Sequence, residues 1–339
     1  YAAQKRIISH QKEVHMKPLN LKHNDKVVAR VYASHYDSKS LDQLRSLSEL
    51  DGFNFIHAFP DLHAGNDFPV GYVMKTKNMF YPKLTGADIG CNVHGVMIAE
   101  HLTNDDVYEC AAFIKEKYTG TRNFPSLGNG NHFFEIGNDE QGQTWIIVHT
   151  GSRSKGGDAY RALKQELDLT KSEGFNTQSM LFDRIYQIYE DAEESAVSNS
   201  TMILSSALNT LGIKSERNVI TLHNTIDIRN EHVFHYKGAS LVSNEEEALI
   251  PLSMGEGTML IKSINTGAFF NGINHGAGRK MSRTAAKNTL NMSHLQGINY
   301  LSDSLPIDEA PAAYKDIHED MNWFVENGYL EIITTIKPM

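Results

Sequence analysis

The sequence predicts an α+β fold with substantial sheet. Strand-like and helix-like stretches are mixed without a strict βα alternation, and neither an internal repeat nor a low-complexity tract interrupts them. No Pro/Ser-rich linker divides the chain, whose 339 residues can bury a large core as one large domain or two smaller ones.

Taken in order, residues 27–32 (VVARVY) read as a strand. A short amphipathic helix follows over 41–50, with Ser40 as expected N-cap and Gln43 completing a capping box. The polar stretch 57–65 (HAFPDLHAG) reads as a loop, 70–75 as a strand, 85–91 as a Gly-rich turn and 93–99 as an apolar strand. Asn104, Asp105 and Asp106 cap a helix over 104–118. A Gly/Asn turn at 128–132 opens into a strand at 133–136, and 145–149 is a buried-type strand. Residues 158–211 are strongly helical, with Phe182, Ile185, Ile188 and Tyr189 on one side. Further strands are expected at 219–222, 234–236, 248–251 and 259–264, and helices at 284–290 and 312–326.

Composition narrows the function classes. With 40% hydrophobic and 22% charged residues the chain is ordinary globular material, and no apolar run approaches the length of a membrane span. The opening residues lack the apolar centre of a signal peptide, and their lack of an initiator methionine predicts residues before Tyr1. Two cysteines, Cys91 and Cys110, argue against a disulfide scaffold and favour a reducing cytoplasmic setting. A net charge of −9 argues against long, non-specific tracking of nucleic acid, so any nucleic-acid chemistry must use a local cationic cleft or metal ions.

Chemistry-bearing residues recur in Gly-flanked turns near strand ends. Asp88 and Cys91 share one turn (DIGC), His132 follows GNGN, His149 precedes TGSR, and His223 precedes Asn224. One carboxylate, one thiol and three imidazoles form a mixed donor set suited to Zn, Mn, Fe or Co rather than Ca or Mg, and a thiolate can bridge two ions. Taken singly, a cysteine is more often a small buried hydrophobe and a strand-end histidine more often core or surface; it is the joint pattern that points to metal. His57, Asp61 and His63 either orient the ligands, the favoured reading, or form a simple polar loop, and His94 is expected to face away or line the cleft. His10, His15, His23, His35, His101, His232, His235, His294 and His318 are read as structural or surface residues. In HGAGRKMSR, His275 is followed by Gly276 and Gly278, then by Arg279, Lys280 and Arg283 before a helix, a pattern able to hold a phosphate. Arg153, Lys155 and Lys237 are further candidates for phosphate contact. PLSMGEGT lacks the Lys-Ser/Thr of a P-loop.

Together FPDLHAG, GADIGC, GNGNHFFEIG, VHTGSR, LHN, KGA, PLSMGEGT, HGAGRKMSR and DEAPAAYKDI run from Phe59 to Ile317 in the order found in the RtcB family of GTP- and manganese-dependent RNA-splicing ligases, which the chain resembles. The resemblance implies a single large RtcB-like domain over 1–339, with mixed or antiparallel sheets around a central dinuclear metal cleft. It implies two Mn(II) ions, one held by Asp88, Cys91 and His132 and the other by Cys91, His149 and His223, with Cys91 bridging. His275 would be the nucleophile that accepts GMP from GTP. Guanylate contacts would come from Asn131, His132, Phe133, Phe134, Glu135, His223, Asn224, Pro251, Leu252, Ser253, Met254, Thr258, His275, Gly276, Ala277, Gly278 and Tyr314. The implied reaction joins a 2′,3′-cyclic-phosphate or 3′-phosphate RNA end to a 5′-hydroxyl end in RNA repair or tRNA splicing, in the cytoplasm, with an archease-type activator as a further partner.

The sequence departs from the family at two places. In GADIGCNVHG, Asn92 and His94 stand where the commoner form has glycine and then a nearby arginine, which bears on an RNA-phosphate contact and not on the metal ligands. A near-terminal lysine that contacts guanine lies beyond the segment resembling 336–339, and its role does not transfer to Lys337; both ends of the chain are expected to be truncated. Two other readings fit the residues: a metal-dependent RNA phosphodiesterase or end-healing enzyme without guanylylation, and an RNA-binding relative with impaired chemistry.

Overall fold

The computed structural model describes residues 16–120, 124–128, 130–152, 158, 161 and 174–339. The first third carries β1 (Leu19–His23), β2 (Lys26–Val31), α1 (Ser38–Leu47), β3 (Phe53–His63), β4 (Val70–Lys77) and β5 (Met79–Phe80). The middle carries β6 (Asn92–Ile98), α2 (Asn104–Tyr118), β7 (Phe133–Asn138), β8 (Thr144–Thr150), β9 (Phe175–Asn176) and α3 (Phe182–Leu211). Next come β10 (Ser215–Leu222), β11 (Ile226–Arg229), β12 (His232–Lys237), β13 (Ala239–Leu241), β14 (Glu247–Ser253), β15 (Gly257–Ser263) and β16 (Gly272–Asn274). The chain closes with α4 (Arg283–Thr289), α5 (His318–Glu326) and β17 (Leu330–Pro338).

Two larger sheets build the fold, as the α+β expectation requires. One has six strands in the order β1-β2-β3-β4-β12-β11, antiparallel except for β2–β3. The other has seven antiparallel strands in the order β10-β6-β8-β7-β17-β15-β14. Apolar residues of both sheets, among them Phe59, Val73 and Tyr236 with Ile250, Met259 and Ile261, meet in one core. On the seven-stranded sheet, Val96, Ile146 and Val148 pack against Ile114 of α2 and Ile203 and Leu204 of α3. On its other side Val93, Trp145 and Ile147 pack with Leu249, Leu260 and Ile336. This sheet curls on itself: the Leu249 amide of β14 donates to Thr221 Oγ1 of β10 at 2.9 Å. Gly95 permits that approach, because a Cβ there would lie 2.6 Å from Leu249 Cδ1. Burial on both faces is why β6 and β8 read as continuous apolar runs rather than alternating ones.

Several local expectations need correction. Residues 57–65 are not a loop through their first part, since β3 continues to His63; its pairing with β4 breaks register between Ala58 and His63, an irregularity that lets a polar, Pro-containing stretch stay in the sheet. The cap of α1 is Asp37, whose carboxylate accepts from Ser40 N at 2.8 Å, and Ser40 is an interior helical residue. Gln43 bonds Gly65 instead of closing a capping box. For α2 the capping box is Thr103 with Asp106. Of the helical stretch read over 158–211, residues 159–160 and 162–173 lie outside the described residues, and β9 with the turns after it precedes α3, which starts at Phe182. The expected helix over 312–326 is a 3-10 turn at Pro311–Ala313 followed separately by α5.

Candidate metal and nucleotide site

Adjacent strands of one sheet deliver the donors to one place. β10, β6, β8 and β7 are neighbours, and their register sets Leu222 opposite Asn92, Val93 opposite His149, and His149 opposite Phe133. Cys91 therefore stands just before β6, His132 just before β7, His149 near the end of β8 and His223 just after β10. A sheet spaces neighbouring strands by about 4.8 Å, and the ring centroids of His132 and His149, at adjacent β7 and β8, lie 5.1 Å apart; the His223 ring leans across β6 to within 5.0 Å of His149. The His223 amide also donates to the Cys91 carbonyl at 3.0 Å.

The side chains form a continuous line of donor atoms. Asp88 Oδ2 is 3.0 Å from His132 Nε2, and Cys91 Sγ is 3.4 Å from both His132 Nε2 and His149 Nε2. His149 Nε2 is 3.3 Å from His223 Nε2. Cys91, His132 and His149 offer ligand atoms all within 4.8 Å of one another. Gly151 makes room for the carboxylate, since a Cβ there would lie 2.2 Å from Asp88 Oδ1.

Proton counting tests whether this set fits a cation. His132 Nδ1 lies 3.2 Å from the Leu127 carbonyl, which can only accept, so this nitrogen carries the ring proton. A cation bound there would take the place of any proton on Nε2, which faces a carboxylate oxygen and a sulfur. Burial first, then the neighbouring imidazoles, pushes His149 and His223 well below the ordinary histidine range, so both rings are neutral. Their facing Nε2 atoms can share one proton at most, and His223 Nδ1 is buried without a hydrogen-bond partner among the described residues. Burial, reinforced by the Asp88 carboxylate, pushes the Cys91 thiol far up; a cation would favour the thiolate instead. Lone pairs crowded in this way are what a soft or borderline metal would relieve, so the residues fit the group.

These side chains open onto a cavity of about 1560 Å³. Every residue that the resemblance assigned to metal or guanylate lines it, as do Lys237, Arg279 and Arg283. His275, at the end of β16, sits with its ring centroid 4.9 Å from that of His223. Its Nδ1 lies 2.5 Å from Asp61 Oδ2, and its backbone N–H donates to the same oxygen at 3.1 Å. Two glycines permit this approach. A Cβ on Gly71 would lie 2.6 Å from Asp61 Oδ1, and one on Gly278 (φ 71°) would lie 2.7 Å from Asp61 Cα. Glu135 accepts from Thr258 Oγ1 at 3.4 Å, and burial raises its carboxyl to about 8.

Two expectations change here, and His94 takes the first of its two expected places. Asp61 was expected to orient metal ligands together with His57 and His63; it holds His275 instead. His63 hydrogen-bonds the Asp61 carbonyl at 2.7 Å, whereas His57 lies among Tyr32, Phe55, Phe269 and Phe270, where burial pushes it down to about 3. His94 turns away from the cavity toward Ser200 and Asn218. Arg279 and Arg283, expected at phosphates, are paired with acids: Arg279 with Glu309 and the Asp308 carbonyl, Arg283 with Asp308 and Glu309. Tyr314 bonds Glu309 and lies under Arg279. No signal in the sequence foretold these acidic partners. Asn129, Arg153, Lys155, His10 and His15 lie outside the described residues.

Mixed oxygen, nitrogen and sulfur donors in a line, a carboxylate-held histidine beside them and a cavity large enough for a nucleotide define a candidate metal-assisted group-transfer centre. The family profile described as "tRNA-splicing ligase RtcB" matches residues 43–117 and 111–339, and the chain belongs to the RtcB family. It is 25% identical over 366 residues to the RNA-splicing ligase RtcB of Escherichia coli strain K12, covering 84% of this chain and 89% of that one. It is likewise 25% identical to RNA-splicing ligase RtcB2 of Escherichia coli strain ATCC 25922, over 89% of this chain and 91% of that one. A tRNA-splicing ligase RtcB from Methanopyrus kandleri is 25% identical over 63% of this chain and 29% of its own length.

Proposed function

We propose that the chain is an RNA ligase that joins 3′-phosphate or 2′,3′-cyclic-phosphate ends to 5′-hydroxyl ends through guanylylation of His275. The observation that carries this reading is the Asp61–His275 pair beside the donor line. A carboxylate that accepts from Nδ1–H fixes the imidazole tautomer and leaves Nε2 as the nucleophilic nitrogen. Nε2 attacks the α-phosphorus of GTP, an N–P bond forms, and the bond to pyrophosphate breaks. An RNA 3′-phosphate oxygen then takes the GMP from His275. The 5′-hydroxyl next attacks that 3′-phosphate, GMP leaves, and the strand is sealed; a cyclic end is first opened by water.

Two Mn(II) ions, sharing Cys91 and held on one side by Asp88 and His132 and on the other by His149 and His223, would supply charge neutralisation at the phosphates. The chain's own residues do the rest. Glu135, Thr258, Pro251 to Met254 and Tyr314 form the guanylate wall, and Gly276 to Gly278 let the backbone approach the nucleotide. Incoming phosphates would compete with Asp308 and Glu309 for Arg279 and Arg283, which places the arginines' contribution at substrate binding. Metal ions together with Lys237, Arg279 and Arg283, which line this cavity, would let a chain of net charge −9 take an RNA end.

The test is incubation with Mn(II) and α-labelled GTP. An acid-labile adduct on the protein is expected, absent in His275→Ala. Equal labelling of His275→Ala would sink the assignment of the nucleophile. Opening of a cyclic phosphate without GTP and without an adduct would favour an end-healing enzyme instead.

A further inference from the structure

The two members of the Asp61–His275 pair come from distant segments, and one buried residue touches both segments. Lys315 is 8% exposed. Its Nζ donates to the carbonyls of Pro60 at 3.0 Å, Leu62 at 2.6 Å and His35 at 2.8 Å. Pro60 and Leu62 are the residues on either side of Asp61. Through its backbone the same residue reaches the other member: Lys315 N donates to the Gly278 carbonyl at 3.0 Å, and Lys280 N donates to the Ala313 carbonyl at 3.0 Å. The chain at 313–315 thus runs antiparallel beside the loop that carries His275, bridged at Arg279 and Tyr314.

An ammonium has three N–H donors, and three carbonyls take them, so Lys315 has none left for substrate. Burying an ammonium is costly unless it is paired, and Asp61, Asp320 and Asp37 are the carboxylates that face it. A neutral side chain of the same length would leave the carbonyls flanking Asp61 unpaired and free to relax.

We infer that Lys315 is the positioning residue that holds Asp61 in register with His275, and so sets the aim and tautomer of the nucleophile. This rests on the reading of His275 as the guanylylated residue. The residue acts through Asp61, and that is what separates it from a general staple of the fold.

The experiment is single-turnover guanylylation of the full chain over a GTP series with Mn(II). Lys315→Met is expected to slow the saturating rate about tenfold or more while half-saturation moves less than about threefold. The double variant Asp61→Asn/Lys315→Met should be within about threefold of Asp61→Asn alone, because the second change acts through a group already altered. A wild-type rate in Lys315→Met, or multiplicative losses in the double variant, overturns the inference. Lys315→Gln, which keeps two donors without the charge, serves if Lys315→Met does not melt cooperatively; if neither folds, Lys315 is only a fold staple and the inference fails. Should the wild type form no adduct, the guanylylation reading fails on its own. The inference is then judged by carbethoxylation of His275 with diethyl pyrocarbonate, read by mass spectrometry without GTP or metal. The same pattern of rates is expected there, and an unchanged rate in the Lys315 variant overturns it.

Discussion

Cys91 is the residue on which the proposed two-ion site depends most, and its removal gives a quantitative test. Its sulfur touches both His132 and His149 at 3.4 Å, whereas Asp88 lies at the His132 end of the line and His223 at the His149 end. Cys91→Ala should therefore weaken both ions, and His223→Ala should spare the one on the Asp88 side. An ion present at a hundred times its dissociation constant adds about 2.7 kcal/mol to folding stability. For 339 residues the unfolding entropy is about 0.7 kcal/mol/K, so each ion should raise the melting temperature by about 4 °C, and two by about 8 °C. Loss of the buried sulfur from the metal-free protein costs only about 1 kcal/mol. The assay pairs thermal melting, with and without Mn(II), with metal content after gel filtration. Wild type should retain two ions and gain the full shift, His223→Ala one ion and half of it, Cys91→Ala little of either. Two retained ions and an undiminished shift in Cys91→Ala would refute a bridging role for the thiolate.

Two more outcomes follow from the geometry. Gly278→Ala puts a Cβ at φ 71° and 2.7 Å from the Asp61 backbone, so melting should fall by about 3 °C or more, equivalent to about 2 kcal/mol, and guanylylation should drop with it. Gly297→Ala, at φ 79° with open space around it, is the control that carries backbone strain alone and should label normally. For Glu135, burial raises the carboxyl from 4.5 to about 8. Between those values the folded chain binds more protons than the unfolded one, so this group's contribution to stability falls as pH rises. Glu135→Gln removes that loss, so its melting temperature should gain on the wild type from pH 5 to pH 8; parallel curves for the two proteins would contradict a raised carboxyl.

Much of the site was legible because its chemistry sits in contiguous motifs. GADIGC, GNGNHF, HTGSR and HGAGRKMSR each carry their candidate side chain within a few residues of a glycine turn, and LHN sets His223 before an asparagine, so residue type and neighbourhood singled out Asp88, Cys91, His132, His149, His223 and His275. Local signals failed where packing overrode them. Pro60, Asp61 and His63 read as a loop, yet β3 runs through them because β4 pairs at both ends of the stretch and the Lys315 ammonium takes the Pro60 and Leu62 carbonyls. Ser40 looked like a cap, but Asp37 reaches the free amide first. The cations after His275 looked available for phosphate, and only folding brought Asp308 and Glu309 against them.

The sequence by itself determined the mixed α+β character, the donor types and the family, because turn chemistry, apolar patterning and short motifs are properties of neighbours along the chain. The tertiary structure alone decided which donors touch and what holds His275. The strand order β10-β6-β8-β7 is a pairing of segments far apart in sequence, and it sets Cys91 between two histidines. Asp61 meets His275 across 214 residues, and Lys315 fixes both ends of that contact. Contacts of that kind are made by sheet register and buried hydrogen bonding, and neither leaves a local mark in the amino-acid order.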